Sequence, residues 1–400
     1  MPVRRNSSPK APKDGGLFGT YRHPLWDSLL AHEPRRPEYF RPERVVLAAG
    51  SCDTNERTLF VERILKLYPE VKVEERLDTA HNRVSPSAAG PLESHTAGKR
   101  TLVLGIHKSA VRLADEKDNT CPNYWHFSPY SFCPFDCQYC YLAGTRSVHL
   151  SPAVKIFVNL PEIWDEIDRT ANKLAQPTAF YLGKLQDGLA LEPLTGYVRA
   201  LAPHFATHPF ARMTLLTKAA NVDELVAAEH GGRTILSWSM SPPEIHVRFE
   251  RNVPSPEVRL AAMRRCADAG YPVRVNLMPV IPVDGWREMY GPFLRRMLAA
   301  VPLARLTFGA ICIYPDARVL MEKKLGRCNE ISEALDPETF RRDDRRQRFK
   351  PEERVEIYRF LADVAREVSP QIELALCLEE PDVMEAAGLS CSRGKCNCVL

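Results

Sequence analysis

The sequence has no long hydrophobic run: no apolar stretch approaches the ~18–20 residues that a membrane-spanning helix needs. Its first residues, MPVRRNSSPKAPKDGG, lack the apolar stretch of a secretory signal. A strong charge of either sign is also missing, because the net charge is only +4 over 400 residues. Such a charge permits an anionic substrate without requiring one. These absences predict a cytoplasmic protein that does not act in a membrane.

Enough hydrophobic residues are present for a large folded core. Hydrophobic residues make up 44% of the chain and charged residues 26%, a balance typical of a globular protein rather than a disordered one. The chain has 12 cysteines, which a cytoplasmic protein keeps mostly reduced. Clustered cysteines are therefore interpreted as metal ligands or catalysts before disulfides.

Short β-forming runs and amphipathic helical patterns alternate through the middle of the chain. The predicted strands are KIFVNL, AFYLG, MTLLTK, TILSWSM, VRVNLMPV and LTFGAICIY, which fall between residues 155 and 314. Helical patterns, among them NVDELVAAEH, separate them. This alternation is typical of parallel strands joined by crossover helices. The sequence therefore predicts an α/β fold with a partial (β/α)6 barrel.

Four segments are expected along the chain. Residues 1–44 are rich in Pro, Arg, Lys and Ser and predict a mobile basic arm. Residues 45–110 hold a β-α-β pattern and form the expected N-terminal domain. Residues 111–335 hold a cysteine motif and the partial barrel. Residues 336–400 hold a basic segment, a helix, a strand and a Cys-rich tail.

Three cysteines are crowded into the stretch FCPFDCQYCYL. Cys133, Cys137 and Cys140 have a CxxxCxxC spacing and no fourth cysteine nearby. A structural zinc ion generally takes four ligands, often from paired CxxC motifs. A [4Fe–4S] cluster has four irons, so three thiolates leave one iron free to bind a small molecule. The spacing favours such a cluster, and a zinc site or three unrelated cysteines is the alternative.

The motif CPFDCQYCYL resembles the cluster motif of the radical S-adenosylmethionine (SAM) superfamily. Four further stretches resemble the spore photoproduct lyase family within it: AHNRV (80–84), KRTLVLGIHKS (99–109), LLTKAANVDELV (215–226) and AGYPVRVNLMPVIPVDGW (269–286). They occur in the family's order, and the resemblance covers about residues 45–370. It implies a radical SAM fold with the cluster at the mouth of a partial barrel.

The same resemblance implies a cofactor and its binding residues. Cys133, Cys137 and Cys140 would hold a [4Fe–4S] cluster, and its free iron would bind the amino and carboxylate groups of SAM. An electron from the cluster would cleave SAM to methionine and a 5′-deoxyadenosyl radical that abstracts hydrogen. A reduced flavodoxin or ferredoxin-type protein is the implied electron donor.

The resemblance also implies three contacts to SAM. Tyr139 would lie against the adenine, and Lys218 and Ser239 occupy the positions at which the family contacts SAM. From the residues alone, a strand-end lysine in solvent is the favoured interpretation of Lys218. For Ser239 it is a barrel-interior hydroxyl bonded to the backbone.

The chain departs from the family where a hydrogen donor is expected. The repair lyase uses a cysteine on its second barrel strand to return a hydrogen atom to the product radical, and the matching residue here is Lys184. A lysine has no weak S–H bond, so Lys184 cannot take that role. The family's tyrosine-rich hairpin is replaced by FRRDDRRQRFK at residues 340–350. A different hydrogen donor, a radical handed back to SAM, or a different substrate would each fit.

This replacement stretch is strongly basic. It carries six positive charges, on Arg341, Arg342, Arg345, Arg346, Arg348 and Lys350, against Asp343 and Asp344. Such a run attracts phosphates by releasing counterions, and together with the family resemblance it makes DNA a candidate partner. On charge alone, a solvated surface with local salt bridges is favoured.

A second group of cysteines lies at the end of the sequence. Cys391, Cys396 and Cys398 form a CxxxxCxC pattern, and Cys377 ends a predicted strand upstream. One hypothesis is an auxiliary iron–sulfur cluster with Cys377 as fourth ligand. Others are a site for a thiophilic substrate such as arsenite, or a thiol that supplies the missing hydrogen atom. A redox-labile or zinc-binding tail is the remaining alternative.

Two classes of function stay open at this point. The first is a lyase-like radical SAM enzyme that repairs a DNA photolesion or acts on a non-DNA substrate, such as a small molecule or arsenite. The second is a non-catalytic binding protein with a metal-ordered, Cys-rich scaffold. Formation of 5′-deoxyadenosine from SAM separates the two classes, because only the enzyme would produce it.

Overall fold

The computed structural model describes residues 22–86, 88–114, 120–338 and 345–400. The first 21 residues of the predicted arm lie outside the described residues, as do Arg341, Arg342, Asp343 and Asp344 of the basic stretch. Most of the buried hydrophobic side chains in the described part of the chain form one continuous core.

The strands and helices follow one another along the described chain. The strands are β1 (Arg44–Ala48), β2 (Lys72–Arg76), β3 (Thr101–Gly105), β4 (Val111–Ala114), β5 (Tyr124–Phe127), β6 (Tyr130–Ser131), β7 (Asp136–Cys137), β8 (Val154–Phe157), β9 (Thr178–Leu182), β10 (Ala211–Thr217), β11 (Thr234–Ser239), β12 (Glu250–Arg251), β13 (Val273–Val280), β14 (Arg305–Ala310), β15 (Cys312–Ile313), β16 (Gln347–Arg348) and β17 (Leu374–Leu376). The α-helices are α1 (Leu25–Ala31), α2 (Asn55–Leu65), α3 (Pro91–Lys99), α4 (Arg146–Leu150), α5 (Leu160–Leu174), α6 (Glu192–Thr195), α7 (Tyr197–Thr207), α8 (Pro243–Phe249), α9 (Pro256–Asp268), α10 (Trp286–Ala300), α11 (Pro315–Leu325), α12 (Glu330–Ala334), α13 (Pro351–Val368) and α14 (Pro381–Ala386). Short 3-10 helices occur at His81–Arg83, Tyr141–Gly144 and Ser390–Ser392.

The N-terminal β-α-β unit belongs to a five-stranded sheet with the order β2-β1-β3-β8-β6. Strands β1, β2, β3 and β8 are parallel, and β6 is antiparallel to β8. The prediction that KIFVNL is the first barrel strand is wrong, because β8 pairs with β3 in this sheet. Both strands are buried along their whole length, so periodicity alone could not show which sheet β8 joins.

The second sheet is the predicted partial barrel. Its order is β17-β14-β13-β11-β10-β9-β5-β4, and every pair from β17 to β5 is parallel, whereas β4 is antiparallel to β5. Strands β9, β10, β11, β13 and β14 confirm the other predicted strands, and β5 and β17 extend the parallel run. Within the described residues, edge strands β4 and β17 do not pair, so the barrel stays open between them.

Most crossovers of the barrel sheet are amphipathic helices, as predicted. Helix α5, for example, buries Ile163, Trp164, Ile167 and Ala171 on one face, at the spacing of a helix packed on a sheet. The predicted helix in NVDELVAAEH is not formed, and turns connect β10 to β11 instead. Val222 and Leu225 there are buried, which mimics a helical pattern in the sequence.

Residues 22–44 pack on the body of the protein, although the sequence predicts a mobile arm there. Helix α1 buries Leu25 and Leu29. The His32 ring lies 2.9 Å from the Glu224 carboxylate and 3.0 Å from the carbonyl oxygen of Pro193. None of the helices in the described ranges is both long and apolar enough to cross a membrane.

Candidate active site

A cavity of about 540 Å³ opens where the barrel strands end at their carboxyl sides. Its walls include every residue that the sequence analysis assigned to the cluster, to SAM contact and to the hydrogen-donor position. These are Cys133, Cys137, Cys140, Tyr139, Lys218, Ser239 and Lys184. Loops at the carboxyl ends of parallel strands meet at one edge of a sheet, which explains how segments far apart in sequence share this cavity.

The loop that carries the three cysteines is fixed by Lys99 at the end of α3. The Lys99 side chain is buried and donates hydrogen bonds of 2.6 Å to the carbonyl oxygens of Cys133 and Phe135. A charged donor that satisfies two carbonyls holds the backbone of the loop in one conformation. Lys99 therefore positions the thiols without touching them.

Phe132, immediately before the first cysteine of the motif, has a left-handed backbone with φ of 62°. A side chain rarely adopts this conformation unless its surroundings enforce it. The Phe132 ring is buried against His95, and its N–H donates to the carbonyl oxygen of Leu185 at 3.0 Å. The packing of α3 and the loop after β9 thus sets the direction in which the chain enters the motif.

The middle of the loop is held from the opposite side. Lys324 of α11 forms an ion pair of 2.5 Å with Asp136, and strand β7 pairs with β12, with Cys137 opposite Glu250. These contacts bring a buried carboxylate directly beneath the cysteine motif.

Glu250 is the centre of a buried polar network. Its carboxylate accepts hydrogen bonds from Tyr139 and Arg259, lies 3.3 Å from the His246 ring and 3.9 Å from the Lys218 ammonium. Burial alone would raise the pKa of Glu250, but the charges of Arg259 and Lys218 outweigh it and hold the pKa well below its usual range. Glu250 is therefore an anion that orients Tyr139 and Lys218 at the cavity wall.

The two other predicted SAM contacts differ in their surroundings. Lys218 is not a solvent-exposed lysine: its side chain is 16% exposed, and its ammonium is 5.8 Å from the centroid of the Tyr139 ring. The Ser239 hydroxyl donates to the carbonyl oxygen of Met278 at 3.1 Å, which matches the alternative of a backbone-bonded hydroxyl. Both residues nevertheless line the cavity.

Asp187 in the loop after β9 was not found by sequence reasoning. Its carboxylate accepts from the N–H groups of Leu189, Ala190 and Lys218 and from the hydroxyl of Thr217, at 2.6–3.0 Å. Burial raises the pKa of Asp187 despite these bonds. It joins the loop after β9 to the end of β10. Its signal in the sequence is a single acidic residue next to Gln186, which is too weak to assign.

The cavity fits an iron–sulfur cluster with a polar ligand beside it. The buried carbonyl oxygens of the Asn276 and Gln186 side chains, two residues of the cavity wall, have no hydrogen-bond partner among the described residues. Burial raises the pKa of Cys137 to about 12, so a bound cation is needed to keep its thiolate. In the described ranges, no three Cys, His, Asp or Glu side chains are placed so that they could hold one metal ion together. A [4Fe–4S] cluster does not require three ligands around a single ion, since each of its thiolates binds a different iron.

Lys184 lies in the cavity wall at the position where the resemblance places a hydrogen donor. Its ammonium is 5.1 Å from the centroid of the Tyr124 ring, and its carbonyl oxygen accepts from the Tyr141 hydroxyl at 3.1 Å. Tyr141 follows the last cysteine of the motif, so the Lys184 backbone is hydrogen-bonded to the loop that carries the three cysteines, which we call the cluster loop.

The second cysteine group reaches the same cavity. Cys377 and Cys398 line it, together with Cys121 and Cys312, which the sequence analysis had left unassigned. Cys396 is buried behind them, whereas Cys391 is exposed.

The tail that carries these thiols is packed into the barrel. The Asn397 side chain is buried, with its amide oxygen 2.9 Å from the Thr307 hydroxyl, and it donates to the carbonyl oxygen of Val275 at 3.0 Å. Arg305 donates to the carbonyl oxygen of Cys396 at 2.5 Å. Polar contacts with β13 and β14 thus hold the tail in place.

The described part of the basic stretch is divided between surface and interior. Arg345 and Lys350 are exposed, but Arg346 and Arg348 are buried. The Arg346 guanidinium lies 5.0 Å from the centroid of the Tyr314 ring and donates to its hydroxyl at 2.9 Å. Arg346 lines the cavity, so part of the predicted phosphate-binding charge faces the site rather than the outer surface.

An open parallel barrel with three cysteines at its mouth defines an enzyme of the radical SAM class. Residues 40–319 match the family model described as spore photoproduct lyase, and the chain belongs to this family. Its members are radical SAM lyases that use a [4Fe–4S] cluster and SAM.

Named relatives agree with this assignment. The spore photoproduct lyase of Bacillus subtilis (strain 168) is 27% identical over 238 residues, which cover 59% of this chain and 68% of the relative. That of Geobacillus sp. (strain Y412MC61) is 26% identical over 279 residues, 68% of this chain and 76% of the relative.

Solved structures of spore photoproduct lyase share the fold. One is complexed with dinucleoside spore photoproduct: it has a TM-score of 0.74 at 21% identity and covers 86% of this chain and 100% of its own. A double mutant with bound AdoMet and dinucleoside spore photoproduct has a TM-score of 0.73 at 21% identity, covering 85% and 99%.

Proposed function

We propose that this protein uses SAM-derived radical chemistry to repair a photolesion in DNA. One observation carries the proposal: the thiols of Cys133, Cys137 and Cys140 share a single cavity with the side chains of Tyr139, Lys218 and Ser239 and with further cations. Membership of the spore photoproduct lyase family supports the reaction, and the bound dinucleoside spore photoproduct in solved relatives supports the substrate class.

The proposed roles follow from the positions in the cavity. The three cysteines hold the [4Fe–4S] cluster, and Tyr139, Lys218, Ser239 and Asn276 bind SAM. When bound, the cluster would supply the electron that cleaves SAM to methionine and the 5′-deoxyadenosyl radical. Glu250 holds the Lys218 ammonium, and Asp187 holds its backbone by accepting a hydrogen bond from the Lys218 N–H. A reduced flavodoxin or ferredoxin-type protein is the proposed electron donor.

Two cations of the cavity wall favour an anionic substrate. Lys184 and Arg346 line the cavity in addition to Lys218. A phosphodiester between two lesion bases would bring one negative charge into this wall. Exposed Arg345 and Lys350 would contact further phosphates of the same strand.

The radical reaction is tested with the anaerobically reconstituted protein, SAM and dithionite. The wild type should form 5′-deoxyadenosine, and Cys137→Ala should form no more than the protein-free control, because one ligand of the cluster is gone. Cys391→Ala, which removes an exposed cysteine of the tail, is the matched control and should keep the activity. Wild-type protein that carries a full cluster and forms no 5′-deoxyadenosine would contradict the proposal.

The substrate is tested with ultraviolet-irradiated and unirradiated thymine-containing DNA. Loss of the lesion and faster 5′-deoxyadenosine formation are expected with irradiated DNA alone. Lys184→Cys should give cleaner repair, because it places a thiol at the family's hydrogen-donor position. Equal behaviour of the two DNA samples would exclude the lesion as substrate while leaving the radical reaction intact.

A second candidate keeps the radical chemistry but takes a non-DNA substrate, either a small molecule or a thiophilic species such as arsenite. The group of thiols in the cavity wall favours it, together with Lys184 at the hydrogen-donor position. Formation of 5′-deoxyadenosine that rises with arsenite and is unaffected by irradiated DNA would support this candidate.

A further inference from the structure

Four thiols from three separate parts of the chain meet beside edge strand β17, on the open side of the barrel. We call this group the thiol quartet: Cys121, Cys377, Cys396 and Cys398. Cys121 and Cys377 are hydrogen-bonded to each other, as are Cys396 and Cys398. Cys121 and Cys377 of the first pair and Cys398 of the second line the wall of the same cavity. The two pairs therefore form one group rather than two unrelated contacts.

Backbone N–H groups point at two of these sulfur atoms. The N–H of Leu378 donates to the Cys121 sulfur at 3.3 Å, and the N–H of Cys398 donates to the Cys396 sulfur at 3.1 Å. Donors of this kind stabilise a negatively charged sulfur, and they surround the thiolates of protein metal centres.

Positive charge lies next to the same segment. The Arg305 guanidinium, which is buried, donates to the carbonyl oxygens of Cys396 at 2.5 Å and of Leu400 at 3.0 Å. Arg274 is also buried and donates to the carbonyl oxygen of Val399 at 2.5 Å. The hydrogen bond with Cys398 and the charge of Arg305 lower the pKa of Cys396, whereas thiol partners and burial raise the pKa of Cys377 and Cys398. The two guanidinium groups would offset part of the negative charge that four thiolates and a metal ion carry together.

We propose that the thiol quartet is a second metal centre that binds a thiophilic metal through four thiolates. Four sulfur ligands suit a single zinc ion or an iron–sulfur cluster. In the described ranges the thiols do not converge on one point, because they face one another in pairs. Binding requires each thiol to release its proton to solvent and its sulfur to turn about χ1 toward the metal.

The four cysteines of this centre are not the four that their spacing in the sequence suggested as ligands. Cys121 precedes β5 and takes the place that spacing gave to Cys391, which is exposed. The centre would join three segments around the open edge of the barrel: the loop before β5, the end of β17 and the tail. It is additional to the proposed repair function and does not depend on it.

The experiment uses the full chain with the first motif removed, Cys133→Ala/Cys137→Ala/Cys140→Ala, handled without oxygen. Co²⁺ is the probe, because thiolate ligation gives an intense charge-transfer absorption. This parent should bind about one equivalent of Co²⁺ and release it to Zn²⁺. Adding Cys396→Ser/Cys398→Ser should abolish the absorption, and adding Cys121→Ser outside the tail should weaken Co²⁺ binding at least about tenfold.

Cys391→Ser in the same parent is the matched control and should bind Co²⁺ as the parent does. Metal analysis of the purified parent identifies the native metal: zinc alone indicates a single ion, and iron with sulfide indicates a cluster, and either result supports the centre. The proposal is overturned if the parent takes up no Co²⁺, zinc or iron while its thiols react as free thiols. It is also overturned if Cys396→Ser/Cys398→Ser, folded by circular dichroism, binds Co²⁺ like the parent.

Discussion

The two cysteine groups of the cavity are built in opposite ways. Cys133, Cys137 and Cys140 come from one loop, whose conformation is imposed by neighbours such as Lys99 and Glu250. The thiol quartet comes from three separate segments that meet through the barrel sheet and the packed tail. Cysteines from one loop can be recognised by their spacing in the sequence. Cysteines that tertiary structure brings together from distant segments have no characteristic spacing. Each side of this difference can be tested.

The largest effect is expected from Glu250→Gln, which removes the charge beneath the cluster loop. Arg259 and Lys218 would then be buried near a neutral amide, and breaking a buried ion pair in this way costs about 3–5 kcal/mol. Urea unfolding of the cluster-free protein measures the loss. Glu330→Gln is the control, since Glu330 is half exposed in its pair with Arg248 and should change stability by about 0–1 kcal/mol. Equal effects would mean that the network does not support the loop.

Lys99→Met should have the next largest effect. It deprives the carbonyl oxygens of Cys133 and Phe135 of a charged donor, which costs about 1.5–3 kcal/mol. Less iron per chain should also be retained after reconstitution, because the loop loses its fixed conformation. The exposed Lys173 of α5 supplies the control, Lys173→Met. Normal iron content in Lys99→Met would show that the loop is organised by the cluster itself.

Asn397→Ala tests how the other cysteine group is held. The substitution leaves the Val275 carbonyl oxygen and the Thr307 hydroxyl without their buried partner, at a cost of about 1–3 kcal/mol. Proteolysis near the tail should become faster, and thermal unfolding should shift downward. Cys391→Ser, in the exposed part of the tail, should leave both measurements unchanged. An unchanged Asn397→Ala protein would argue against a packed tail.

The smallest effect is expected from pH, through His95 behind Phe132. Burial lowers the pKa of His95 from 6.5 to about 2, so the folded protein keeps this ring neutral while the unfolded chain takes up a proton below pH 6.5. Stability contributed by neutral His95 is complete above pH 6.5 and is lost as the pH falls. Over the first pH unit below that value, His95→Phe should lose less stability than wild type, by less than about 1.4 kcal/mol.

Urea unfolding at the two ends of that pH range measures the difference. His149→Phe, at an exposed position of α4, is the control and should follow the wild type. The same pH dependence of stability in wild type and His95→Phe would show that His95 does not contribute to it.

The sequence predicts the barrel well where strands and helices alternate. Five of the six predicted barrel strands are present in order, because each is a short apolar run followed by a helix or a turn. The assignment of β8 to the barrel failed, since a strand buried on both faces carries no mark of the sheet that it joins. The helix predicted over residues 221–230 failed because two buried residues in a turn, Val222 and Leu225, repeat at helical spacing.

The candidate site, like the fold, was only partly predictable from the sequence. The cysteine motif and the cavity positions of Lys184, Lys218 and Ser239 could be predicted from the residues and the family resemblance. Glu250 and Asp187 could not, because each acts through partners that are distant in sequence. The basic stretch was read as one surface, yet Arg346 and Arg348 turn inward. Charge alone does not show which side of a short strand faces the solvent.

The pairing of β7 with β12 has a consequence for synthesis of the protein. The cysteine motif leaves the ribosome more than 100 residues before Glu250 and its partner Arg259, which complete the polar network beneath it. Early in translation the three thiols are therefore exposed on an unsupported loop. We expect cluster insertion to follow completion of this part of the barrel, so that the order of the chain itself delays loading until the site can hold its cluster.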